Sequence, residues 1–180
     1  MSKKGFSLIE LIVVISIISI LALIGIPQLN KWRARYRVKN FSYSLASNIS
    51  YARTVSKKDG KRVVVAIVNS GSNPQNWTSN SSIDPVIYLI FEDFNNNQKY
   101  DSGEKIIAYG NGKGISIIDN TIPNSCMGGS SKCVLFFPVG PPLLGVASLI
   151  IKVGSASYGN IEYDVNLQGV TGITEVKTVK

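Results

Sequence analysis

The chain of 180 residues contains no histidine and only two cysteines. Without imidazole it lacks the commonest general base and the commonest metal ligand. A hydrolytic triad would need a serine–lysine variant, and no serine–lysine spacing on a recognisable helix suggests one. No enzyme activity and no cofactor are expected. Charge is missing from one long stretch as well: from Leu11 to Asn30 there is no Asp, Glu, Lys or Arg.

That uncharged run is long enough to cross a hydrocarbon core as a helix. A short basic leader, Met1-Ser2-Lys3-Lys4-Gly5, leads through Phe6-Ser7-Leu8-Ile9 to a single acid, Glu10, at the start of the apolar run. A carboxylate in lipid costs about 2.5 kcal/mol or more at mid-bilayer and less near the edge, so Glu10 calls for a partner. A secretory signal peptide would have a shorter core, no internal acid and a small-x-small cleavage site after the core. Here the small residue, Gly5, precedes the core, and a polar helical pattern continues beyond it. The segment reads as a retained membrane helix with an embedded acid.

The string Lys4-Gly5-Phe6-Ser7-Leu8-Ile9-Glu10-Leu11 resembles the class III signal of type IV pilins and of the pseudopilins of type II secretion. The resemblance implies cleavage between Gly5 and Phe6 by a prepilin peptidase, N-methylation of Phe6, and an assembly role for Glu10. It implies as partners the other pilins or pseudopilins and an inner-membrane assembly platform. Later motifs resemble the minor pseudopilin H and FimT subgroup: Leu45-x-x-x-Ile49-x-x-Ala52-Arg53, Gly60-Lys61-Arg62-Val63, and Phe91-Glu92-Asp93-x-Asn95 through Gly103-Glu104. The subgroup often carries a glycine-arginine motif in its last strands. The matching stretch here, Val165 to Gly172, has no arginine.

Beyond the membrane segment, Val38, Phe41, Leu45, Ile49, Ala52 and Val55 recur at three- and four-residue spacing, the stripe of an amphipathic helix. Pro27 predicts a kink or a loosened turn, and Lys57-Lys58-Asp59-Gly60 supplies cations and a glycine to end the helix. Strands are expected at Val63–Val68, Val86–Phe91, Lys105–Tyr109, Gly114–Ile118, Val134–Phe137, Ser148–Val153 and Ile161–Leu167. The expected fold is α+β, a long helical spine packed against an antiparallel β-sheet domain. Its parts are a leader (1–5), a transmembrane and assembly half of the spine (6–30), an amphipathic half (31–56) and a periplasmic β domain (57–180).

The formal charge of +8 falls to +6 once Lys3 and Lys4 are removed. Lys31, Arg33, Arg35, Arg37 and Lys39 follow the apolar run, and the positive-inside rule alone would put that end in the cytoplasm. The leader motif and the cysteines oppose it. Cys126 and Cys133 flank Met-Gly-Gly-Ser-Ser-Lys, which suits a small disulfide ring and an extracytoplasmic domain. The alternating cations wrap around a helix rather than forming one face, which fits membrane lipid headgroups or acidic filament neighbours. DNA would need a clustered patch. Trp32 and Tyr36 have a simpler reading as interfacial anchors.

One loop has the spacing of a calcium site. Asp93, Asn95, Asn97, Asp101 and Glu104 fall at positions one, three, five, nine and twelve of an EF-hand-like loop, with Gln98 where the turn glycine is expected. The competing reading is a hairpin loop whose Asp and Asn side chains cap their own backbone. Three functions follow from these observations. The first is a structural subunit of a type II secretion pseudopilus, near its tip. The second is a minor type IV pilin for pilus priming or DNA uptake. The third, of another class, is a membrane-anchored calcium- or ligand-binding module.

Overall fold

The computed structural model describes residues 7–67, 86–101, 103–112, 114–123, 125–126, 131–142, 147–169 and 171–179. A single helix, α1 (Leu8–Asp59), runs through 52 residues, about 78 Å at 1.5 Å per residue. It ends at Gly60, whose left-handed backbone (φ 66°) is the conformation a glycine adopts most cheaply. Pro27 lies within the helix and does not end it. The first half is exposed on all sides, with a mean hydropathy of 2.9 in its most apolar window, long and apolar enough to cross a membrane. The second half buries the predicted stripe. Val38, Leu45, Ile49, Ala52 and Val55 are buried and Phe41 packs against them.

Among the described residues nine strands follow: β1 (Val63–Ile67), β2 (Val86–Glu92), β3 (Ile106–Asn111), β4 (Ile115–Asn120), β5 (Ser125–Cys126), β6 (Ser131–Phe136), β7 (Ser148–Ser155), β8 (Glu162–Gln168) and β9 (Thr174–Thr178). They form two antiparallel sheets, β3-β2-β1-β6-β5 and β4-β7-β8-β9, both packed on α1. In the second sheet burial alternates, with Leu149, Ile151 and Val153 of β7 and Tyr163, Val165 and Leu167 of β8 facing the helix. β1 has no such alternation, because the first sheet is covered on both faces. Val63, Val65 and Ile67 join the helix-side core, while Val64 and Ala66 join a second cluster with Leu89, Phe91, Cys126, Cys133 and Leu135. That is why its sequence is an unbroken β-branched run.

The first sheet is also pinned to the helix by one tyrosine. The Tyr88 hydroxyl accepts a hydrogen bond from Asn48 Nδ2 at 2.7 Å, and its ring meets Phe41 edge-on at 5.7 Å. The ring lies across Gly110 of β3, where a Cβ would come within 2.1 Å of Tyr88 Cε1. Only a glycine leaves that space. Gly110→Ala is therefore expected to lower stability by about 1–3 kcal/mol through overpacking. Tyr88→Phe, which removes only the hydroxyl, should cost about 0.5–1.5 kcal/mol. Chemical denaturation followed by circular dichroism tests the ordering, and a neutral Gly110→Ala would contradict the contact.

Candidate functional site

The start of α1 is closed by a capping box. Ser7 is the N-cap with extended backbone, and its hydroxyl accepts from the backbone N–H of Ile9 at 3.4 Å. In return Glu10 Oε2 accepts the Ser7 backbone N–H at 2.8 Å. Two N–H groups that a helix leaves orphaned are thereby satisfied where no described residue covers them. The role is written in the sequence as Ser-x-x-Glu, the capping-box spacing. Gly5 and Phe6, the residues of the expected cleavage and methylation, lie outside the described residues.

Around the middle of α1, Lys31, Arg33, Arg35, Arg37 and Lys39 make no ion pair with a described residue. The rings of Trp32 and Tyr36, one turn apart, stack at 5.9 Å, and Lys39 lies over the Tyr43 ring at 6.0 Å. All three rings are exposed, on the side of the helix away from the sheets. Further along, the Arg53 guanidinium lies against Gly172 in the β8–β9 turn, where any Cβ would overlap it. The last strands thus receive an arginine from the helix, although their own sequence has none.

The loop 93–104 is organised by its own polar groups. Asp93, whose side chain is fully buried, is ion-paired with Arg62 and accepts the backbone N–H groups of Asn97 and Gln98 at 3.1 and 3.0 Å. Glu104 accepts those of Phe94 and Asp101, each at 3.0 Å. Asp101 Oδ2 takes the side-chain amides of Asn95 and Asn97 at 2.7 and 2.6 Å, and those asparagines accept from the backbone N–H groups of Asn97 and Lys99. Gln98 stands with φ 60° where a glycine would be easier.

As placed, the five residues bond to one another, to the loop backbone and to Arg62. Asp93 is committed to Arg62, and among the described residues no group of three carboxylate or thiol side chains is gathered for a metal. The geometry is that of the self-capped loop. Adding calcium to the purified chain is expected to leave its thermal midpoint unchanged. A calcium-dependent rise would show that Asp93 leaves Arg62 for an ion.

Next to this loop lies a buried acid with two lysines. Glu92, 1% exposed at its side chain, accepts from Lys105 at 2.9 Å and Lys61 at 3.2 Å, and Lys105 also reaches Asp59 at the end of α1 (3.7 Å). Burial acts to raise the Glu92 carboxyl, but the hydrogen bonds and charges of Lys105 and Lys61 together outweigh it and hold it below its ordinary value. Hydrogen bonds from Asn95 and Asn97 likewise lower Asp101. Glu104 is raised, chiefly by burial, against the pull of its backbone donors. Depressed carboxyls add stability that is complete above their ordinary values, 4.5 for Glu92 and 3.8 for Asp101, and vanishes as the pH falls through the folded values. Glu104 has the opposite sign. Its contribution is present below pH 4.5 and is lost as the pH rises through its raised folded value.

The thermal midpoint is therefore expected to fall as the pH drops below about 4.5, the range in which Glu92 begins to protonate. Glu92→Gln should lower stability at neutral pH by about 1.5–3 kcal/mol and flatten the acid limb. An acid limb unchanged in that variant would rule Glu92 out as its source.

A helix long and apolar enough to cross a membrane, an acid capping its exposed start and a β domain laid on its second half make an α+β, pilin-like fold. Comparison with known proteins agrees. Residues 1–26 match the family described as the prokaryotic N-terminal methylation motif. Over 158 residues the chain is 27% identical to Pilin-like protein PilA1 of Thermus thermophilus, covering 87% of this chain and 91% of that one. It is 39% identical over 66 residues to two fimbrial proteins of Pseudomonas aeruginosa, covering 35% of this chain and 40% of each relative's length. No solved structure matches. The chain carries the prepilin methylation motif, is homologous to type IV pilin-like proteins, and is a type IV pilin-like structural subunit.

Proposed function

We propose that this chain is a minor filament subunit. It waits in the inner membrane as a single-pass protein with its β domain in the periplasm, and after cleavage between Gly5 and Phe6 it assembles through Glu10. One observation carries this reading. The Glu10 carboxylate sits 2.8 Å from the Ser7 backbone nitrogen, one residue from the amine that cleavage would create at Phe6. A methylated ammonium there, its own or a neighbour's, would pair with Glu10 and offset much of the cost of holding both charges in an apolar surround. The charge pair would fix the axial register of neighbouring helices. The role is structural rather than catalytic.

The machine is either a type II secretion pseudopilus, as the motifs from Leu45 to Glu104 suggest, or a type IV pilus. The 39% identity over 66 residues to two fimbrial proteins supports the pilus. Deleting the gene and scoring secreted enzymes against surface pili separates the two.

Glu10 has two roles to distinguish, a helix cap and a charge. Glu10→Gln keeps an oxygen for the Ser7 N–H and removes the charge, whereas Glu10→Leu removes both. Both variants are expected to be processed to a chain starting at N-methyl-Phe6, seen by mass spectrometry, and both should fail to co-purify with partner pilins. Normal incorporation of Glu10→Gln would leave Glu10 a cap and nothing more. An uncleaved Met1 or Ser2 terminus in cells with active prepilin peptidase would overturn the processing.

A further inference from the structure

The strand β5 is two residues long and lies at the edge of the first sheet. Its pairing to β6 consists of Ser125↔Lys132 and Cys126↔Ser131. So short an edge is held weakly by backbone pairing alone. The register puts Cys133 two positions beyond the partner of Cys126, so both side chains leave the sheet on the same face. That face belongs to the cluster of Val64, Ala66, Leu89, Phe91 and Leu135, in which the cysteines are 4% and 0% exposed. The two side chains are in hydrogen-bonding contact with each other.

We propose that Cys126 and Cys133 are a covalent modification site, oxidised to an intramolecular disulfide while the domain folds, and that the bond staples β5 to β6. Each thiol gives up one proton and one electron, and a bond forms between the two sulfurs. The electron pair reduces a disulfide donor, a thiol–disulfide oxidoreductase or oxidised glutathione, whose own S–S bond breaks to two thiols. The attacking species must be a thiolate, and it must meet the donor in line. In the closed domain neither condition holds. The contact with Cys133 and burial together push the Cys126 thiol up, so it stays protonated, and the cluster shuts out a second disulfide. Oxidation therefore belongs to the folding chain, and the redox state of the pair is set by the compartment in which the domain closes. This last step rests on the proposed periplasmic placement of the β domain.

The test uses the full chain in detergent. Protein extracted from cells is labelled under denaturing conditions with a maleimide polymer, with and without prior reduction. No label before reduction and two after it are expected, with one label on Cys126→Ser as the control. In parallel, reduced protein is refolded with oxidised glutathione, and the same reagent is added to protein already folded in the reduced state. A monomer lighter by two hydrogens should form during refolding, at least about tenfold faster than in the folded protein. Its thermal midpoint should drop on reduction. Failure to form the bond in refolding overturns the site, and equal rates overturn its timing. Two labels on unreduced cellular protein, with the bond forming normally in refolding, would overturn the periplasmic placement while leaving the site intact.

Discussion

The backbone of α1 satisfies its own hydrogen bonds from Leu8 to Asp59, and this self-sufficiency lets one segment serve two solvents. Over the first half no side chain needs a protein neighbour, so Leu, Ile and Val can cover every face. Over the second half the same helix turns one face to two sheets, with Val38, Leu45, Ile49 and Ala52 wholly enclosed. Val38, Leu45 and Ile49 each contribute about 1.5–3 kcal/mol when fully buried. At the exposed start of the helix Ser7 and Glu10 bond reciprocally. The cations and rings from Lys31 to Tyr43 occupy the changeover between the two regimes.

The domain beyond is arranged around that helix. Two antiparallel sheets share it as a common floor, and the first, covered on its far face as well, becomes the most deeply buried element. Its end beside the C-terminus of α1 is tied by charge. Arg62 with Asp93, and Lys61 and Lys105 with Glu92, join the start of β1 to the end of β2, while Lys105 reaches back to Asp59. The buried Ser56 hydroxyl adds a bond shared between the carbonyls of Lys61 and Phe136, at 2.7 and 3.1 Å. The 93–104 loop grows from this junction and is held by the same ion pair. It has the spacing of a metal loop, and its side chains cap its own backbone.

Much of this was legible in sequence because it is periodic. The helix stripe from Val38 to Val55 declared itself at three- and four-residue spacing, and the helix ends three residues past the expected Ser56. Seven strands stood out as apolar runs. Two did not. β5 has only two residues, and β9, Thr-Glu-Val-Lys-Thr, is an edge strand with a single apolar side chain. Contacts between distant residues could not be read at all. Gly110 gave no sign that Tyr88 lies across it, nor did Gly172 show that Arg53 occupies the space of a side chain. The 93–104 spacing places oxygens along the chain but not the partner of Asp93, which comes from Arg62, thirty-one positions away.

The central claim is that α1 passes from lipid to protein at the Lys31–Lys39 collar without interruption. A scan of spin labels along positions 8–59 of the full chain in nanodiscs tests it most directly, reading oxygen against water-soluble nickel accessibility at each site. The account predicts oxygen access on all faces up to about Leu29. Nickel access should then rise through the collar, and beyond it an alternation of helical period should leave Val38, Leu45 and Ile49 shielded from both reagents. Periodic shielding within the first half, or lipid access continuing past Lys39, would contradict it.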